Sequence, residues 1–392
     1  INDINVDQAQ ANRLPNVNAS VSQNFSWSKP INEKTMTYGS YDASNGTNYG
    51  INAGVTLFNG FRISNTIKQR ELESKAGQFD LETTKESISL NILDLFLQVL
   101  YSKEQVKNAQ IRVNVTAEQL RLADERMRIG AISKLDFMQV KSQLATDKNS
   151  LATAESVLAN NKLSLMQIML LSDYKNFDVD TTMHVSSFIQ TEIPSTDSIY
   201  QISVNNKPQI KSAQLNEQSA QMAVSIAKAG YIPKLSLNGG LNTQYSNQLS
   251  MFSYSSQLEN RLVPSIGLSL SIPIYQNKAV KSDVSIAQIQ TSVAQLQTSN
   301  IQNQLRKAIE QACIDYSSAQ KQYDAALEAF NTANESYSLA TEKFNLGMLA
   351  SVEYFVQKTN LSVVENNLLQ AKYNLVFCAK TLDYYAGKQL GL

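Results

Sequence analysis

The sequence predicts a mixed fold of the α and membrane-β class, in which long coiled-coil helical hairpins alternate with pairs of amphipathic strands, all of it present twice. Three observations predict it. One tip motif occurs two times: Arg126-Met-Arg-Ile-Gly130-Ala-Ile-Ser133-Lys-Leu-Asp136-Phe137 returns 217 residues later as Lys343-Phe-Asn-Leu-Gly347-Met-Leu-Ala350-Ser351-Val-Glu353-Tyr354. Long proline-free stretches flank each tip and carry apolar residues at alternating steps of four and three. Four shorter segments alternate apolar and polar residues with a period of two.

Residues 1–12 read as the end of a helix, and because the chain starts at Ile1 without Met it reads as a fragment or processed form. Arg13-Leu-Pro15 breaks that helix, and a β-hairpin over 16–58 follows. Val17, Ala19, Val21, Phe25 and Trp27 share one face of its first strand, with Asn18, Ser20, Ser22, Asn24 and Ser26 on the other. In the second strand Tyr49, Ile51, Ala53, Val55 and Leu57 oppose Gly50, Asn52, Gly54 and Thr56. Strands of about ten residues with aromatics at their ends and a face of Asn, Ser and Gly match a membrane barrel.

Phe58-Asn-Gly60 ends the strand, and a helical hairpin over 61–171 begins. Its first arm, 61–129, would be about 100 Å long at ~1.5 Å per residue. The seam is Ile88, Ile92, Leu95, Val99, Ser102, Val106, Ala109, Val113, Thr116, Leu120, Ala123 and Met127, answered on the return arm by Phe137, Leu144, Leu151, Leu158 and Leu165. Leu90, Leu93, Leu97 and Leu100 add a second apolar face, so this helix has neighbours on more than one side. An irregular equatorial segment, 172–194, with His184 and Pro194, reads as an insertion outside the bundle and closes the first repeat, 1–194.

The second repeat, 195–392, opens with one helix over 197–229 and then copies the first. In a β-hairpin over 234–275, Leu235, Leu237, Leu241 and Tyr245 alternate with polar residues, as do Ile266, Leu268, Leu270, Ile272 and Ile274. Ile274-Tyr-Gln-Asn277 matches Leu57-Phe-Asn-Gly60. In the helical hairpin over 279–386 the seam runs Leu305, Ile309, Ala312, Tyr316, Ala319, Tyr323, Ala326, Phe330, Ala333, Tyr337, Ala340 and Phe344, answered by Tyr354, Leu361, Leu368, Leu375 and Leu382. Register kept over roughly 160 residues marks an internal duplication.

Lys plus Arg (34) equals Asp plus Glu (34), so no net field points to nucleic acid. Only 17% of residues are charged. Asn, Gln, Ser and Thr fill the deficit, which suits a wetted wall that binds ions weakly. No apolar run reaches the ~18 residues of a transmembrane helix. Cys313 and Cys378 lie on opposite arms, offset by about 9 Å, too far for a disulfide. With one His and no Gly-rich phosphate loop, no catalytic, metal or cofactor constellation is present.

At each tip a glycine, Gly130 or Gly347, ends the incoming helix in the left-handed conformation. Ser133 or Ser351 then offers an N-cap oxygen, and Asp136 or Glu353 sits near the first turn of the next helix. Cap duty alone accounts for these residues. The strands demand more, because four of them cannot close a barrel and an open edge in lipid leaves backbone groups unpaired. They close with copies from other chains into a symmetric ring, or the membrane reading fails.

The paired Leu14-Pro15 and Ile232-Pro233 strand entries, Leu57-Phe-Asn-Gly60 and the two tips resemble the outer-membrane efflux protein family typified by TolC, over essentially the whole chain. The resemblance implies a homotrimer in a Gram-negative outer membrane. A twelve-strand barrel, four strands per chain, would continue into a twelve-helix α-barrel in the periplasm, fed by a periplasmic adaptor and an inner-membrane pump. It implies that small molecules or proteins pass passively and that the tips are both gate and adaptor-docking surface, through Arg126, Gly130, Ser133, Lys343, Gly347 and Ser351. The best-known member carries Gly-x-Arg on its second tip, followed by two aspartates that ring the closed entrance, and it holds the first tip's Asp with a tyrosine. The corresponding positions here are Leu349, Glu353 and Val356, and Phe344 in place of the tyrosine. Asp136 therefore cannot make that bond, and the expected constriction is apolar around Leu349 and Val356, with a weak cation preference from Glu353. Phe25, Trp27, Phe58 and Tyr275 are the candidate aromatics at the lipid interfaces. A soluble coiled-coil scaffold without channel activity is the competing reading, but it gives no reason for four strands with an Asn, Ser and Gly face.

Overall fold

A computed structural model describes residues 1–29, 31–32, 36–172, 177–180, 195–249 and 251–388; the side chain of Asn32 is not described. The chain divides into two compact units, one of residues 1–80 with 211–300 and one of 81–210 with 301–392.

The first unit holds the sheet. Helix α1 (Asn2–Ala11) precedes β1 (Asn16–Ser28), a two-residue ladder β2 (Ile31–Asn32) and β3 (Thr37–Tyr38), and β4 (Asp42–Phe58). Strands β5 (Lys234–Ser246) and β6 (Val263–Ser271) complete an antiparallel sheet in the order β1-β4-β5-β6. Its register carries the alternation across all four strands. Val17, Ala53, Gly239 and Ile266 form one row, and the next is Asn18, Asn52, Gly240 and Ser265. Most of the apolar face is uncovered among the described residues, with Trp27 67% and Ile266 81% exposed.

The last strand is shorter than the alternation suggests. Ile272 and Ile274 lie beyond β6, because Pro273 has no N–H to give a ladder. A short helix, α6 (Tyr254–Asn260), bridges β5 and β6. It is tied down by Thr243 Oγ1 donating to the Leu258 carbonyl at 2.7 Å and by Ser246 N–H donating to Gln257 Oε1 at 2.9 Å.

The strand exits repeat in backbone conformation as well as in sequence. Gly60 and Phe61 take positive φ at one exit, Asn277 and Lys278 at the other, each pair 217 residues from its counterpart. Gly60 has a second reason to be glycine, since a Cβ there would lie 2.8 Å from Ile232 Cβ.

The long arms form as the seams predict: α2 (Arg62–Arg128), α3 (Lys134–Ile168), α7 (Ala279–Asn345) and α8 (Ser351–Tyr385). In the second unit much of each seam is buried, although Ile88 is 44% exposed. Val99, Ser102, Ala109, Thr116 and Ala123 of α2 are buried, and so are Leu305, Ile309, Tyr316, Ala333 and Ala340 of α7. The second apolar face of α2 is real: Leu93, Leu97 and Leu100 pack with Leu165, Tyr373 and Val376. Both cysteines are free thiols; Cys378 lies in the core of Leu305, Ile309 and Tyr316, and Cys313 packs against it.

The helix expected over 197–229 is two helices, α4 (Thr196–Asn206) and α5 (Pro208–Lys228). Lys207 between them is extended at ψ 128°, because the proline ring excludes the α region for the residue before it. Its ammonium then sits 3.0 Å from the Tyr384 ring centroid and 3.2 Å from Glu86 Oε2. Of the equatorial segment, His184 and Pro194 lie outside the described residues; residues 177–180 dock on the helices. Asp178 takes ion pairs from Lys103 at 2.8 Å and Lys162 at 2.9 Å, and Val179 is buried in the Leu93 core.

Candidate functional site at the hairpin tips

The two tips turn in the same way. Gly130 (φ +76°) and Gly347 (φ +75°) each follow a long helix in the left-handed conformation. Gly130 N–H donates to Met127 O at 3.0 Å and Ala131 N–H to Arg126 O at 2.8 Å; Gly347 and Met348 do the same to Phe344 and Lys343 at 3.0 and 2.8 Å. This double closure satisfies carbonyls that the ending helix leaves free. No atom lies within 4 Å of where a Cβ would be at either glycine, so backbone conformation, not crowding, demands glycine there.

The tips differ in how the next helix starts. Ser133 caps α3: Asp136 N–H donates to Ser133 Oγ at 3.1 Å, and Ser133 N–H returns a bond to Asp136 Oδ2 at 3.3 Å. The expectation that Ser351 caps α8 is wrong. Ala350 holds the cap position without a side-chain bond, and Ser351 is the first residue of the helix. Freed from capping, Ser351 is buried and its hydroxyl lies 3.3 Å from Asp136 Oδ1. Asp136 therefore does reach the second tip, through Ser351 and not through position 344. Bonds from the Ser133 side chain, with help from Ser351, hold its carboxyl below the usual range. A second tie joins the tips, from Arg126 Nη2 to the Asn345 carbonyl at 3.3 Å.

Phe344 stacks on Tyr354, ring centroids 4.6 Å apart and planes 17° from parallel. Tyr354 is fully buried and bonds Gln119 and, at 2.8 Å, Tyr337. Burial pushes its hydroxyl far above the ordinary tyrosine value. Lys343, Glu353 and Val356 are exposed and Leu349 half-buried. Glu353 has no hydrogen bond or ion pair among the described residues. In the first unit Phe25, Trp27, Phe58 and Tyr275 are exposed, and Phe58 meets Phe61 edge-on at 5.4 Å.

A buried polar node escaped the sequence reading. Lys358 of α8 lies 3.0 Å from Asp147 Oδ2 of α3; both residues are buried and both also bond Thr116 of α2. Gln143 donates to the other Asp147 oxygen at 2.8 Å. Burial pulls the Lys358 ammonium below its ordinary value, opposed by Asp147. Thr116 is a seam position of α2, and a polar residue between apolar seam residues is the sequence signal for the node. Among the described residues no group of His, Cys, Asp and Glu is placed to hold a metal, and no helix is long and apolar enough to cross a membrane.

Known proteins agree with this architecture. A family profile described as outer membrane efflux protein matches residues 3–169 and 199–388. The toxin and drug export protein A of Aggregatibacter actinomycetemcomitans is 22% identical over 241 residues, 61% of this chain and 50% of that protein. Outer membrane protein TolC of Escherichia coli K12 is 25% identical over 275 residues, 61% of this chain and 54% of its own. The chain thus spans about half the length of the curated relatives it matches. A solved structure of CusC superposes with a TM-score of 0.81 at 16% identity, covering 99% of this chain and 86% of that one. The chain belongs to the outer membrane efflux protein family, whose two-repeat fold of long helical hairpins and a four-stranded sheet it carries, and it is an outer-membrane protein.

Proposed function

We propose that the chain is the exit duct of a tripartite efflux or secretion assembly. Three copies close the sheet into a twelve-strand barrel, and their helical hairpins form a periplasmic tunnel. Small molecules or proteins pass through it passively, delivered by a periplasmic adaptor and an inner-membrane pump.

The observation that carries this reading is the uncovered sheet. Most of its apolar residues face outward from one side with nothing over them among the described residues, α6 meeting only the Tyr49 and Tyr245 end, and β1 and β6 are both edges of the described sheet. In lipid each unpaired backbone group costs several kcal/mol, so β6 of one copy pairs with β1 of the next. Lipid then covers the apolar face and water the face of Asn, Ser and Gly. Phe25, Trp27, Phe58 and Tyr275 meet the lipid interfaces.

The tips are the gate and the docking surface. Arg126, Gly130, Ser133, Lys343, Gly347 and Ser351 build the turns that the adaptor meets. The Ser351–Asp136 and Arg126–Asn345 contacts tie the second tip to the first, and Leu349 and Val356 narrow the entrance between copies. Glu353, exposed and without a side-chain partner among the described residues, gives the opening a weak cation preference. The relatives carry names from toxin and drug export to cation efflux, which supports a broad cargo class.

The test is to purify the full-length protein from outer membranes and measure particle mass and bilayer conductance. A detergent-dependent trimer that opens ion channels is expected. A detergent-independent soluble monomer or dimer would sink the duct and leave the coiled-coil scaffold reading.

A further inference from the structure

The polar face of the sheet is a fitted surface and not a loose row of small residues. Between β4 and β5 three glycine–asparagine pairs stand in register: Gly50 with Asn242, Asn52 with Gly240, and Gly54 with Asn238. The asparagine changes strand between the first pair and the second. At each glycine the partner's amide occupies the space of the missing side chain. A Cβ on Gly50 would lie 2.5 Å from Asn242 Oδ1, one on Gly240 2.7 Å from Asn52 Oδ1, and one on Gly54 3.1 Å from Asn238 Oδ1. The amides lie flat along the sheet because glycine leaves them slots.

The same face is free of charge along most of its length. From Ser26–Ser44 to Ser236–Ser269, every position on it is Asn, Gln, Ser, Thr or Gly except Val263, opposite Asn242 at the start of β6. Its ionic groups stand at the two ends, Asp42 opposite Ser28 and Lys234 opposite Ser271. The strand backbone at these glycines needs no positive φ. Conformation therefore does not require glycine at Gly50, Gly54 or Gly240, and the slots remain as the reason for it.

We infer that this interlocked asparagine–glycine ladder sets the width and the charge neutrality of the barrel's inner wall, making Gly50, Asn52, Gly240 and Asn242 the residues that decide what the β-segment admits. The inference rests on the duct reading, with this face turned to water. By lying flat, the amides keep the passage wide. By carrying no charge, they let cations, anions and neutral polar solutes pass alike, and electrostatic preference is left to the two ends of the passage.

The test is single-channel recording of the full-length protein with three variants. Gly50→Ala with Gly240→Ala fills two slots and drives both amides into the passage, so conductance falls. Alanine is no worse than glycine in a strand, so assembly and thermal stability are retained. Gly239→Ala, one residue away on the lipid face with its nearest neighbour at 3.6 Å, leaves conductance unchanged. Asn52→Asp shifts the cation-to-anion permeability ratio by roughly two- to fivefold, the effect of a unit charge acting a few ångströms away in water. Conductance equal to wild type in the double alanine variant, or lowered equally by Gly239→Ala, would overturn the ladder's role while leaving the duct in place. A wild-type protein that opens no channel overturns the duct reading first, and the ladder with it.

Discussion

Ser351 Oγ and Asp136 Oδ1, 215 positions apart in the chain, lie 3.3 Å from each other and join the two hairpin tips. The contact exists because α8 starts at the position equivalent to the first residue of α3, so that Ala350 stands at the cap where the first tip has Ser133, and Ser351, one place later, has its hydroxyl free for the first tip. Ser351→Ala is expected to raise channel open probability in bilayers with a modest loss of thermal stability, at the low end of the roughly 1.5–3 kcal/mol of a hydrogen bond to a charged group, because water still reaches the Asp136 carboxylate. Asp136→Asn should open the channel similarly and also weaken the α3 cap, by about 1 kcal/mol. A Ser351→Ala/Asp136→Asn double variant that opens no more than either single variant is the signature of one shared tie. Additive effects would show that the residues act separately.

The same tie has a pH signature. The folded-state pKa of Asp136 is depressed, so its stabilising contribution is present above the ordinary carboxylate value of about 4 and is lost as pH falls through the folded value below it. Open probability should therefore be flat from neutral pH down to about 4 and rise below that, and Asp136→Asn should abolish the rise. A rise that survives in the variant would assign the effect to another carboxylate.

The Lys358–Asp147–Thr116 node fixes α8 against α3 and α2 behind the tips. Removing one charge leaves the other buried and uncompensated, so Lys358→Met or Asp147→Leu alone should destabilise the detergent-solubilised protein by roughly 3–5 kcal/mol. Lys358→Met with Asp147→Leu should recover most of that loss, because an apolar pair of similar volume meets no desolvation penalty. Thermal melts of the three variants decide it: a double variant as unstable as the worse single one would show that the node contributes more than charge compensation.

The repeat, the seams and the tips were all legible because each follows from a local rule that the chain obeys twice: period two, four-three spacing, and a glycine after a helix. The breaks are legible only where proline acts inside a run, and there the proline cuts more than the apolar pattern suggests. Pro208 ends α4 at Asn206 and Pro273 ends the last strand's ladder early. Pairings between distant residues were not legible. Ser351 reads as a cap from its position after Gly347, and only three-dimensional placement shows its hydroxyl turned to Asp136. Lys358 lies four residues after Tyr354 and three before Leu361, and Asp147 three after Leu144 and four before Leu151, so both stand at seam spacing; that they face each other depends on the packing of three helices.

The sheet supplies the last prediction. Ile266, midway along the edge strand β6, ends the outward row of Val17, Ala53 and Gly239, and 81% of its surface is uncovered. If lipid covers it, Ile266→Arg places a cation in hydrocarbon at a cost of about 2–4 kcal/mol per copy near the midplane. Assembled oligomer in the outer membrane should fall sharply, and the oligomer that remains should dissociate at lower temperature. Ser265→Arg, one residue away on the polar face, should assemble normally, because that side chain reaches water. The contrast between neighbours is the useful quantity, since the period-two alternation alone sends one side chain to lipid and the next to the lumen. Equal loss for both would mean that the outward face is covered by protein.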